Sequence, residues 1–166
     1  MSVIEEVREA NDRYSAGFEH GALPLPPARR FAVLTCMDAR IDPARALGLV
    51  EGDAHVIRNA GGLASDDAVR SVVISQALLG TTEVLVIGHT DCGVETFTND
   101  QLRAQLRDGR GVDATHLDFQ PFPEVDERVA ASVRRLRETP LLPDDYGVRG
   151  FVYDVATGRL REVTED

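Results

Sequence analysis

Apolar positions along this chain follow two periods. Three short runs, Phe31 to Thr35, Ala54 to Arg58 and Glu83 to Ile87, are dense in Val, Ile, Leu and Phe and predict strands. Between and around them the apolar residues fall at helical spacing. Val3, Val7, Ala10, Tyr14 and Phe18 predict an amphipathic helix over residues 3–17. Asp42 is placed to cap a short helix that opens with Pro43 and runs through Leu47. Ser65 caps another, with Asp66 and Asp67 in its first turn, where the helix dipole favours negative charge. Val69, Val72, Val73 and Gln76 to Leu79 continue that helix, and Gly80 ends it. A further helix is expected from Asn99 to Gly109, an irregular stretch over 110–122, and a last helix through Val125, Val129, Val133 and Leu136, stopped before Pro140. Phe151 to Asp154 and Arg159 to Val163 flank Thr157-Gly158 and predict a terminal strand or hairpin.

Strands that alternate with helices define an α/β fold. The expectation is a mainly parallel central sheet with helices on both faces, reached by right-handed crossovers. Residues 1–166 read as one domain, with residues 1–22 as an N-terminal helical arm set off by Leu23-Pro24-Leu25-Pro26-Pro27. The apolar stripe of that arm can pack on its own core or on a partner subunit. The pattern alone favours its own core.

Charge narrows the partners. The net charge is -10, with no basic stripe, which excludes nucleic acid and anionic membrane surfaces as expected ligands. No apolar run reaches the roughly 20 residues of a membrane span. The start, Met1-Ser2-Val3-Ile4-Glu5-Glu6, lacks the pattern of a secretory signal, so a cytoplasmic location is expected. In such a chain two cysteines point to a metal or to catalysis rather than to a disulfide.

Those cysteines carry the candidate chemistry. Cys36 lies just past the end of the first predicted strand and His89 just past the end of the third, with Cys92 following in the same turn. Parallel strands bring these ends to one edge of the sheet, where such folds bind ligands. Two thiolates and an imidazole make a zinc ligand set with the fourth position open. The alternative is two cysteines packed as small hydrophobes and a hydrogen-bonded core histidine. Asp38 and Arg40 follow Cys36 closely. Arg40 can hold Asp38 bidentately, so that Asp38 accepts a hydrogen bond from a metal-bound water, or Asp38 can swing onto the metal as a fourth ligand. A plain structural ion pair is the other reading. Gly61 and Gly62 follow the second strand and permit close backbone approach, but no dinucleotide or P-loop fingerprint is present. His55 reads as structural.

Cys36-Met37-Asp38-Ala39-Arg40, Arg58-Asn59-Ala60-Gly61 and His89-Thr90-Asp91-Cys92-Gly93, in that order, resemble the motifs of the β-class carbonic anhydrases. The segment from Arg149 to Gly158 resembles their compact prokaryotic branch. The resemblance implies one zinc per subunit on Cys36, His89 and Cys92, with Asp38 and Arg40 as catalytic residues. It implies a substrate pocket at Gly61, Val50 and Gly93. It also implies a homodimer or higher oligomer in which the N-terminal helix crosses the partner, reversing the preference drawn from pattern alone. The implied reaction is reversible hydration of carbon dioxide to bicarbonate and a proton. Members of the branch that hydrolyse carbonyl sulfide or carbon disulfide supply an alternative, and a non-catalytic zinc-binding interaction protein a second, against which the intact Asp38 and Arg40 argue. Two departures stand out. Val50 occupies the place of a pocket glutamine in plant-type members, implying a more apolar pocket, and without tryptophan no allosteric bicarbonate site is expected.

Overall fold

The computed structural model describes residues 2–164; Met1 of the arm and the last two residues lie outside the described residues. Five strands form one sheet in the order β2-β1-β3-β4-β5. They are β1 (Phe31–Cys36), β2 (Ala54–Asn59), β3 (Glu83–His89), β4 (Gly147–Tyr153) and β5 (Leu160–Val163). The first four are parallel, and β5 pairs antiparallel with β4 as the far arm of the terminal hairpin.

The strand order dictates which face each helix takes. From β1 the chain passes to β2 on one side, then crosses back over β1 to β3 on the other. Right-handed crossovers in opposite directions must lie on opposite faces. Accordingly α2 (Pro43–Leu47) covers one face, where Leu47 and Leu49 pack against Phe31, Val33 and Ile87. On the opposite face α3 (Asp66–Ala77) and α5 (Val125–Glu138) bury Ala68, Val69, Val72, Val129, Val133 and Leu136 on Ala32, Leu34, Val84, Val86, Val148 and Val152. The expected cover on both faces is present but unequal, because α2 is a single short helix. Central β1 is buried along its whole length, as a parallel strand covered on both sides must be.

Three expectations shift. The first helix, α1 (Val3–Ser15), ends before residue 17 and buries none of its residues. Val3, Ile4, Val7, Tyr14 and Phe18 are all exposed, so the reading of this stripe as intrachain core is wrong. An amphipathic period reports that an apolar face exists, not which chain covers it. Strand β4 begins at Gly147 rather than Phe151. A side chain at Gly150 would meet Val129 and Val133, so this glycine lets α5 lie directly on the sheet while erasing the strand's apolar signature. Finally, Cys36 and His89 are the last residues of their strands rather than just past them, paired with Asn59 and Tyr153. The ladder continues through both residues and fixes their backbones.

Helix α4 (Asn99–Arg110) ends on left-handed Gly111, close to expectation. His55 donates or accepts at Ser75 within a buried chain through Thr81 to Tyr146, in line with a structural role.

Candidate metal centre and active site

The switch point of the sheet lies between β1 and β3, where the chain leaves β1 in opposite directions. Such crevices at the carboxyl ends of strands are where α/β sheets bind ligands. Cys36 ends β1 and His89 ends β3 at this point, and Cys92 follows in the next turn. Their ligand atoms all lie within 4.8 Å of one another, and all three residues are buried.

The histidine shows what the cluster is built for. His89 Nδ1 sits 2.9 Å from the Thr90 carbonyl oxygen, which can only accept, so Nδ1 carries the proton. That leaves the lone pair on Nε2, which is buried and has no hydrogen-bond partner. A buried, unpaired imidazole nitrogen beside two sulfurs is a costly arrangement for a packed core and a natural one for a metal ligand. The residues therefore fit a zinc ion, and the reading of simple core packing loses its support.

The sulfurs are prepared in the same sense. The Cys92 thiol beside it draws the Cys36 thiol well below its ordinary range, against the opposing effect of burial. The Gly61 N–H also donates to Cys36 Sγ, at 3.3 Å. The same pairing, with burial, pushes Cys92 up. The pair thus gives up one proton easily and holds the second until a cation replaces it.

Backbone contacts hold the ligand loops. Arg58 donates from Nε to the Cys36 carbonyl at 2.9 Å and from Nη2 to the Asp38 carbonyl at 2.7 Å, bracing the loop between them. Asn59 exchanges two hydrogen bonds with Leu63 and shapes the 3-10 turn at Ala60–Gly62. At Gly62 the turn comes so close that an added Cβ would lie 3.0 Å from both Cys36 N and Thr35 C. Cys92 N donates to Glu95, fixing the second ligand turn.

Asp38 accepts from Arg40 N at 2.8 Å, from Arg40 Nε at 3.0 Å and from Nη2 at 2.8 Å. These bonds hold its carboxyl well below the usual carboxylate range. Its Oδ2 lies 3.8 Å from His89 Nε2. Around the sulfurs Ile41, Leu63, Val94 and Phe122 form a buried apolar wall.

Of the residues singled out from sequence, Cys36, His89, Cys92, Asp38, Arg40 and Gly61 meet at this point, and Gly93 follows Cys92. Val50 lines a separate groove with Tyr14, Phe18 and Val56, to which no ligand residue contributes within one chain. Sequence reasoning missed the bracing roles of Arg58 and Asn59, the apolar wall and the part played by Asp91. Arg58, Asn59 and Asp91 all stood in recognised motifs, but a motif does not show what each side chain holds.

Fold and site together define an α/β protein with a buried Cys–His–Cys metal-ligand set at the switch point of a parallel sheet. The chain belongs to the carbonic anhydrase family, in its β class: the family model for carbonic anhydrase matches residues 31–160. It is 46% identical over 164 residues to β-carbonic anhydrase 1 of Mycobacterium tuberculosis, covering 99% of each chain. The crystal structure of a carbonic anhydrase from Streptococcus mutans superimposes with a TM-score of 0.94 at 47% identity, over 99% of each chain. A carbon disulfide hydrolase from Acidianus is more distant, 35% identical over 162 residues, 83% of this chain and 79% of that protein.

Proposed function

We propose that this chain catalyses the reversible hydration of carbon dioxide to bicarbonate and a proton, with one zinc ion per subunit held by Cys36 Sγ, His89 Nε2 and Cys92 Sγ. The observation that carries this reading is the unpaired, buried His89 Nε2 with the Asp38 carboxylate 3.8 Å away. Zinc bound there would supply Lewis acidity, which lowers the pKa of a water from 15.7 towards about 7.

The chain's own residues do the rest. Asp38, kept ionised by Arg40, accepts a hydrogen bond from the attacking water and orients its lone pair. Ile41, Leu63, Val94 and Phe122 offer an apolar surface to an uncharged linear substrate and exclude bulk water. Gly61 N–H withdraws charge from Cys36 Sγ, offsetting the electron donation of two thiolates.

The assembly belongs to the same proposal. The exposed stripe of α1 and the edge strand β2, with Val56 exposed, are surfaces suited to a second copy in a homodimer or larger oligomer. Val50 would enter a pocket only across that interface. The free thiols suit a reducing, cytoplasmic location. No helix among the described residues is long and apolar enough to cross a membrane.

The test is stopped-flow hydration of carbon dioxide by protein of known zinc content, with carbonyl sulfide and carbon disulfide run in parallel. Zinc-dependent hydration that exceeds turnover of both sulfur compounds is expected. A zinc-loaded protein that turns over only the sulfur compounds would refute the proposal in favour of the hydrolase reading.

A further inference from the structure

Arg40 does not serve Asp38 alone. One edge of its guanidinium faces Asp38. The other donates from Nη1 to Asp91 Oδ2 at 2.6 Å and from Nη2 to the Asp91 carbonyl at 2.8 Å. Both edges of the planar fork are therefore occupied. Asp91 reaches back in this way because its backbone is left-handed, with φ of 55°, a conformation aspartate tolerates better than most residues. It also stands between the two ligands of the second turn, next to Cys92.

The exposures of the three side chains show what this second grip does. They rise outward, from 16% at Asp38 through 47% at Arg40 to 78% at Asp91. An arginine half in solvent and held from one side only would sample other rotamers. Asp38 would then lose its partner. It sits 3.8 Å from His89 Nε2, within a short swing of the ion those ligands would hold.

We propose that Asp91 is a positioning residue: it clamps Arg40 from the side away from Asp38, and so keeps the Asp38 carboxylate off the metal's open position. The inference rests on the proposed ligand set and on the proposed role of Asp38.

The test uses full-length protein loaded with cobalt(II), whose visible spectrum reports the metal's ligands, titrated with thiocyanate as a probe of the open position. Asp91→Asn should keep its cobalt, show a carboxylate-ligated spectrum before anion is added, and bind thiocyanate roughly fivefold more weakly. Loss of a negative charge near the site would by itself tighten an anion, so the expected change has the opposite sign to the simple electrostatic one. Combining Asp38→Asn with Asp91→Asn should restore wild-type affinity or better, because the competing carboxylate is gone. Unchanged or tighter binding in Asp91→Asn overturns the inference. So does a double variant as weak as the single one, since general damage would not be rescued. Wild-type protein that takes up no cobalt would instead sink the ligand assignment itself.

Discussion

Gly62 and Gly111 have nearly the same positive φ, 64° and 67°, but different surroundings. Around Gly111 nothing lies within 4 Å of an added Cβ. At Gly62 the added carbon would meet Cys36 N and Thr35 C at 3.0 Å and the Ile87 carbonyl oxygen at 3.2 Å. All three are backbone atoms of β1 and β3, pinned by the ladder on both sides and unable to rotate away. Gly111→Ala therefore carries only the left-handed penalty, about 1 kcal/mol, or a fall in melting temperature of roughly 2–4 °C for a chain of this size. Gly62→Ala carries the same penalty plus displacement of packed backbone, together about 2–4 kcal/mol and roughly 5–15 °C. Because the displaced atoms belong to Cys36 and its neighbour, Gly62→Ala should also hold zinc less tightly, whereas Gly111→Ala should not. Thermal unfolding by circular dichroism, with zinc measured on the same samples, separates the two terms. If the variants melt within about 2 °C of each other, the close approach has no energetic weight and the account of how Cys36 is placed is refuted.

Other expectations follow from single contacts. Cys36→Ala should leave folded protein with only a small fraction of its zinc, and equal zinc in variant and wild type would contradict the ligand set. Asp38→Asn should retain zinc and lose roughly 100-fold or more in hydration rate, with an unchanged rate counting against Asp38 as the proton acceptor. Burial pushes the Tyr146 phenol up from its ordinary value of 10.0, only partly opposed by its bond with Thr81. Its folded value exceeds its unfolded value, so its contribution is complete below about pH 10 and is lost as pH climbs through the raised folded value. Tyr146→Phe should flatten that alkaline decline in denaturant titrations, and an identical slope would exclude Tyr146 as its source. Val7→Asp alters a side chain already exposed in the single chain, so it should leave secondary structure unchanged but lower the mass found by light scattering. An unchanged mass would remove α1 from the assembly.

How much of this was legible in the sequence depends on whether the cause is local. The runs that became β1, β2 and β3 announce themselves because a buried parallel strand must be apolar throughout. Cys36, His89 and Cys92 were legible because strand ends in such a sheet converge, and few residue types bind zinc. The start of β4 was not, since Gly147 and Gly150 answer to neighbours distant in sequence, the paired Glu83 beside one and Val129 and Val133 of α5 above the other. Asp91 was hidden for a similar reason. Its residue type shows a carboxylate, but only its left-handed backbone turns that carboxylate and the adjacent carbonyl onto Arg40. The destination of the α1 stripe is a property of two chains, and a pattern within one cannot assign it.

The site joins two kinds of structure with different tolerances. The ligands are buried and set by backbone: ladder pairs at Cys36 and His89, the close approach of Gly62, the braces from Arg58. The Asp38–Arg40–Asp91 clamp is a chain of ion pairs running out to solvent, where such pairs are weak and their partners exchange readily. On the proposed ligand set, metal retention and access to the metal thus fall to different residues. Damage to the backbone setting should reduce both together, because a misplaced ligand alters affinity and geometry at once. Damage to the clamp should change access alone and leave the metal in place. Gly62→Ala and Asp91→Asn sit on the two sides of that division. A loss of metal in Asp91→Asn comparable to that in Gly62→Ala would show that clamp and ligand turn move as one unit.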